Sequence, residues 1–146
     1  MREISTPDKV GANEITSVLT TLRIRNLALV TDLTLELSGG LVVITGETGA
    51  GKSILLGALN LVLGQRADRS LIRSGEESCT VEAALNVRGL PPEFHRELEA
   101  LGLEPCADHQ LLLKRTFTSA GANRQFVNGT PTTLGSLARV GDWLVD

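Results

Sequence analysis

Residues Leu41 to Leu63 read LVVITGETGAGKSILLGALNLVL, and the reading of this stretch decides the fold. Its centre, Gly46-Glu47-Thr48-Gly49-Ala50-Gly51-Lys52-Ser53, fits the phosphate-binding pattern G-x-x-x-x-G-K-[ST]. The spacing has a chemical reason. A polyphosphate carries several negative charges, and a tight loop can surround it with backbone N–H donors. The glycines let that loop approach the phosphates without a Cβ in the way. Lys52 brings an ammonium toward the β and γ phosphates, and Ser53 offers a hydroxyl to Mg²⁺. The helix that starts here points its positive dipole end at the anion.

The flanks supply the context that the pattern requires. Leu41 to Ile44 is apolar and β-branched-rich, as expected of a buried parallel strand. After Lys52 the pattern turns helical. Only Ser53, Gly57, Asn60 and Gly64 interrupt the apolar residues, and their spacing puts them on one narrow face. A helix that is apolar nearly all round belongs in a domain interior.

The whole chain has 146 residues, enough for one domain with a real core. Its hydrophobic fraction of 42% is that of an ordinary soluble protein, and its net charge of −3 gives no global positive field for nucleic acid. Cys79 and Cys106 lack metal-ligand spacing and read as free thiols of a reducing compartment. No apolar run reaches the ~18 residues of a membrane span, and the N-terminus lacks a signal-peptide core. A cytoplasmic protein without a membrane partner is expected.

In chain order, residues 1–20 read as a flexible N-terminal extension, and residues 21–146 as the folded unit. Leu22 and Ile24 alternate with Arg23 and Arg25 in a strand. Asn26-Leu27-Ala28 reads as a corner, and Leu29 to Leu37 as a second, half-buried strand. Leu37-Ser38-Gly39-Gly40 spells LSGG, the signature sequence of ABC ATPases, but between two strands it reads as a plain turn. Past the helix, Arg66, Arg69 and Arg73 lie in a loop that is either solvated or reaches a nucleotide or DNA.

Val81 to Val87 alternates as a strand, and Pro91-Pro92 opens a short helix with Phe94, Leu98 and Leu101 on one face. Gln110 to Thr118 and Arg124 to Val127 read as a hairpin, and a short helix holding Leu134, Leu137 and Val140 follows. Trp143-Leu144-Val145-Asp146 has the apolar-then-acid pattern of a strand that could present a Mg²⁺-binding carboxylate. His95 and His109 are isolated and read as structural or solvent-facing.

Two amphipathic strands before the P-loop distinguish this chain from nucleotide kinases and small GTPases, in which the P-loop usually follows the first strand. They predict an α/β P-loop NTPase of the ABC/SMC type, with an antiparallel β-subdomain beside a P-loop strand–helix core. The run LRIRNLALVTDLTLEL…GLVVITGETGAGKSILLGALNLVLGQRAD resembles the start of the RecN family of SMC-like bacterial DNA repair ATPases. Ile72-Arg73-Ser74-Gly75 before Val81-Glu82-Ala83 is similar to that family's R-x-G…V motif. Asn123-Arg124-Gln125-Phe126-Val127-Asn128-Gly129 is similar to its R-x-F-[IV]-N-G hairpin, and Trp143 to Asp146 to the strand before its Q-loop.

The resemblance covers about Leu22 to Asp146 and implies the N-terminal ATP-binding lobe of a bipartite head acting in double-strand-break repair and recombination. Gly46 through Ser53 would hold ATP and Mg²⁺, Arg25 or Asn26 would lie near the base, and Arg73 would reach the nucleotide or DNA in the assembled dimer. The implied partners are the C-terminal half of the head, a second head and DNA. Without signature helix, secure Walker B or catalytic Glu, the chain reads as a fragment inactive in hydrolysis by itself. The other readings are a different SMC- or RecF-like head, a P-loop kinase with the arginine loop as its lid, and a non-catalytic interaction module. A GTPase would require an N-K-x-D base reader, which the sequence lacks.

Overall fold

A computed structural model describes residues 19–37 and 49–145. Among the described residues six strands form one sheet: β1 (Leu19–Leu27), β2 (Val30–Glu36), β3 (Ser78–Asn86), β4 (Gln110–Thr118), β5 (Asn123–Val127) and β6 (Thr130–Thr132). The order is β2-β1-β3-β4-β5-β6, and every neighbouring pair is antiparallel. Three helices accompany it among the described residues: α1 (Gly49–Val62), α2 (Pro92–Ala100) and α3 (Leu134–Leu144). The core lies on one face of the sheet, where Leu22, Ile24, Val81, Leu85, Leu113 and Val127 are buried.

Strand alternation explains this face, with two local breaks in β1. Leu19 pairs with Leu85 but Thr21 pairs with Ala84, so β1 carries one extra residue at Thr20. The bulge shifts the parity, and both Leu19 and Leu22 point inward. The Thr20 hydroxyl donates to the Ala84 carbonyl at 3.0 Å and fastens the irregularity. Asn26, at φ +59°, shifts the parity again and turns Leu27 inward after Ile24. The corner expected at Asn26 to Ala28 is therefore inside β1 for its first two residues. The chain reverses at Ala28 and Leu29, between the paired Leu27 and Val30, and Leu29 is 81% exposed.

Helix α1 is buried through its second half by Ala58, Leu59, Leu61 and Val62, while Ile54, Leu55 and Leu56 are half-buried. It stops where Gly64 takes φ +104°. A Cβ on Gly64 would lie 2.6 Å from Cα of Ala138 in α3. One on Gly141 would lie 2.4 Å from the Leu63 carbonyl oxygen. The end of α1 and the middle of α3 therefore meet backbone to backbone.

Two sequence readings change here. Residues Trp143 and Leu144 are not a strand; α3 continues through Leu144, and only Val145 is extended. Leu137, Val140 and Leu144 are buried at helical spacing, and that packing overrides the strand-like composition. Asp146 lies outside the described residues. The segment before α3 also holds strand β6, which pairs Thr130 with Val127 and Pro131 with Phe126.

Helix α2 docks on α3 through Glu97, which accepts from Nε of Arg139 at 2.7 Å and from Nε1 of Trp143 at 3.2 Å. These bonds, Arg139 first, hold the Glu97 carboxyl below its ordinary range. A depressed carboxylate pKa adds stability that is fully present above the unfolded value, about 4.3. That stability is lost as pH falls through the lower folded value. The unfolding midpoint should therefore drop more steeply from roughly pH 5 to pH 3 in the parent than in Glu97→Gln. Parallel midpoint curves for the two proteins would remove this pair from the acid response.

Candidate phosphate-binding site

Helix α1 begins at Gly49, so Gly49, Ala50, Gly51, Lys52 and Ser53 have helical backbone. The second half of the sequence pattern thus occupies the helix N-terminus, where free N–H groups favour an anion. No acidic residue stands in this first turn to offset the dipole, which fits a polyphosphate. Gly46, Glu47 and Thr48, the strand read at Leu41 to Ile44, and the Ser38-Gly39-Gly40 turn lie outside the described residues.

The structure brings two other candidates together. The Arg73 N–H donates to the Asn26 carbonyl at 2.9 Å, and the Ala28 N–H donates to the Leu71 carbonyl at 2.7 Å. The arginine loop is thereby laced to the end of β1, with Ile72 bridged to Leu27. Arg73 is half-buried and Arg25 exposed. Arg66 is exposed, and Arg69 donates through Nη1 to the Ser119 carbonyl at 2.9 Å, so Arg69 ties the loop to the β4–β5 turn. Among the described residues no three His, Cys, Asp or Glu side chains gather as a metal site, and no helix is long and apolar enough to cross a membrane. His95 and His109 are exposed, and Cys79 and Cys106 are free thiols.

One functional candidate was missed from the sequence. Arg115 stands on the inward parity of β4 with Leu111, Leu113 and Phe117, and it is 0% exposed. Its Nη1 donates to the Leu61 carbonyl at 2.8 Å and also to the Gln65 carbonyl, at the C-terminal end of α1. Its Nε donates to Oδ1 of Asn123 at 3.3 Å. Burial pushes the guanidinium pKa down, yet arginine stays charged in proteins. The available signal was parity alone: a cation at a strand position that should face the core.

The other face of the sheet carries a groove of about 480 Å³ lined by Arg23, Glu82, Lys114 and Phe126 among others. Its charges alternate across the strands, Arg23 opposite Glu82 and Glu82 opposite Lys114. Arg23 also pairs with Asp32 at 3.0 Å. Lys114 Nζ sits 5.9 Å from the Phe126 ring centroid. This is the balanced pairing of a solvated sheet face.

Comparison with known proteins agrees with this architecture. The family model described as "AAA domain" matches residues 21–117. The chain is 38% identical over 128 residues to the DNA repair protein RecN of Haemophilus influenzae, covering 88% of this chain and 23% of that protein. It is 41% identical over 135 residues to RecN of Vibrio cholerae, with the same two coverages, 88% and 23%. The chain thus spans about a quarter of the length of these relatives. Among solved structures, one described by "ATP-driven dimerization and DNA stimulated activation of SMC ATPases" superposes with a TM-score of 0.63 at 18% identity, covering 84% of this chain and 76% of that one. The recombination mediator RecF superposes with a TM-score of 0.60 at 21% identity, covering 82% and 29%. The fold is that of the SMC and RecF heads, with the antiparallel β-subdomain expected from the two strands at the start of the chain.

Proposed function

Because this chain belongs to the AAA domain family, we propose that it is the ATP-binding N-terminal lobe of a RecN-like ATPase acting in DNA double-strand-break repair and recombination. The observation that carries the reading is a P-loop-bearing helix, without acid in its first turn, laid on a six-stranded antiparallel sheet. Gly46 through Ser53 hold the phosphates, Ser53 contributes to Mg²⁺, and Arg25 and Asn26 lie near the base. The half-buried Ile54, Leu55 and Leu56 on α1 would be covered by the C-terminal half of the head. A second head closes on the nucleotide, and the closed pair acts on DNA in the cytoplasm, at the nucleoid. Arg73 serves in that closed pair rather than in the free lobe.

In-line attack on a γ-phosphate requires a positioned water, a carboxylate near it and a closed electrostatic clamp. The P-loop is only part of that clamp. Residues 1–146 alone should bind Mg·ATP and hydrolyse it at background. Addition of the C-terminal half should raise turnover, and DNA should raise it further, with that DNA response weakened in Arg73→Ala. Steady hydrolysis by purified residues 1–146 would contradict the lobe reading, and so would failure to bind Mg·ATP. An unchanged DNA response in Arg73→Ala would return that side chain to a solvated loop.

A further inference from the structure

Arg115 is buried in the core, and among the described residues it has no carboxylate beside it and its Nη2 has no hydrogen-bond partner. Such a group is expensive to keep. An apolar residue of similar size could fill the same space, and replacing buried charges in this way is often neutral or stabilising. What an apolar residue cannot supply is the contact that Arg115 makes. Its guanidinium meets the carbonyls of Leu61 and Gln65, where the helix dipole presents its negative end. The P-loop residues occupy the positive end of the same helix.

We propose that Arg115 is a positioning residue for the nucleotide: it fixes the C-terminal end of α1 to the sheet and thereby aims the P-loop turn. The inference rests on the nucleotide reading above. Mechanically, α1 is held at one end by two elements. Arg115 reaches it from β4, with Asn123 steadying the guanidinium. Helix α3 meets the same end backbone to backbone at Gly64 and Gly141. From Leu61 back to Gly49 the helix runs roughly 18 Å at ~1.5 Å per residue. A tilt of about 3° at the held end therefore moves the first turn by about 1 Å over that length. Misplacement of that size is costly where charged groups must converge.

The test compares Arg115→Met and Arg115→Lys with the parent and with Lys52→Ala, using Mg·ATP titration at a temperature where circular dichroism shows each protein folded. Arg115→Met should weaken binding about tenfold, and Arg115→Lys, which restores the charge at the helix end, should return to within about threefold of the parent. Parental affinity in folded Arg115→Met would overturn the proposal, and so would Arg115→Lys binding no better than Arg115→Met. Should Arg115→Met not fold, Asn123→Ala takes its place. Asn123 is exposed, and its removal releases Nε without opening the core. Binding about threefold weaker is then expected, and parental affinity would reject the positioning role. Lys52→Ala separates the two ideas. If it loses binding while Arg115→Met does not, the P-loop assignment stands and the positioning role falls. If the parent itself does not bind Mg·ATP, both fall.

Discussion

Lys52→Ala should lower the affinity for Mg·ATP at least tenfold while leaving the fold intact. Lysine and alanine both favour helix, so the change costs α1 little. What disappears is the one full positive charge within Gly46 to Ser53. A hydrogen bond to a charged group contributes roughly 1.5–3 kcal/mol, and each 1.4 kcal/mol is about tenfold in affinity. The expected loss therefore runs from about tenfold to about a hundredfold. Calorimetric titration measures it, with circular dichroism as the check on folding. Equal affinities for the two proteins would mean that the anion, if it binds, binds elsewhere.

A second large effect is expected at the crossing of α1 and α3. Gly141→Ala should destabilise the protein by about 2 kcal/mol or more, against the usual direction of such a change. In an ordinary helix interior, alanine is favoured over glycine by about 1 kcal/mol. Gly57 in α1 is such a site, because a Cβ there meets nothing within 4 Å. At Gly141 the added Cβ would stand 2.4 Å from the Leu63 carbonyl oxygen. That oxygen is backbone and has little room to yield. The turn around it is tied by the Gly64 N–H to the Leu61 carbonyl at 3.1 Å and by the Gln65 N–H to the Asn60 carbonyl at 3.0 Å. Arg115 holds the same segment from the sheet. Overpacking costs typically 1–3 kcal/mol and more against rigid neighbours, so the clash outweighs the propensity gain. Thermal unfolding of the two variants should move in opposite directions, Gly57→Ala upward and Gly141→Ala downward. A rise for both would show that α3 can slide away from α1 at little cost.

The strands of this fold were legible because alternation survives in most of them. In β3 and β4 every second residue is buried, and the sequence reading of Gln110 to Thr118 coincides with β4. β1 was read less well because its parity shifts twice: at Thr20, which has no signature in residue type, and at Asn26, whose tolerance of positive φ read as a corner rather than as an irregularity inside the strand. β6 escaped because three residues with a central proline carry no periodic signal. Proline is nonetheless tolerated there, since β6 is an edge strand. Trp143 and Leu144 looked like strand by composition, and only the packing of α3 on Glu97 and the core makes them helical.

The candidate site stands out in the sequence for a different reason. The pattern proposed to hold phosphate is local, eight consecutive residues from Gly46 to Ser53. The anchor at the other end of the helix is not local: Arg115 lies 54 residues from Leu61. No spacing rule connects them. Only the sheet register and the helix direction bring that side chain to those carbonyls.

The position of β1 between β2 and β3 has an entropic consequence. Pairing Leu22 with Ala83 closes a loop of 61 residues, whereas pairing Leu113 with Val127 closes one of 14. On the logarithmic scaling of loop closure, the longer one costs about 1.3 kcal/mol more. Among the described strands the β1–β3 pair has the longest closures, and α1 lies within the segment they enclose. The β3–β4 and β4–β5 pairs need shorter closures, while β1 docks at the expense of a longer one. The apolar surface that α1 lays on β1, β3 and β4 is therefore what offsets the closure that encloses it.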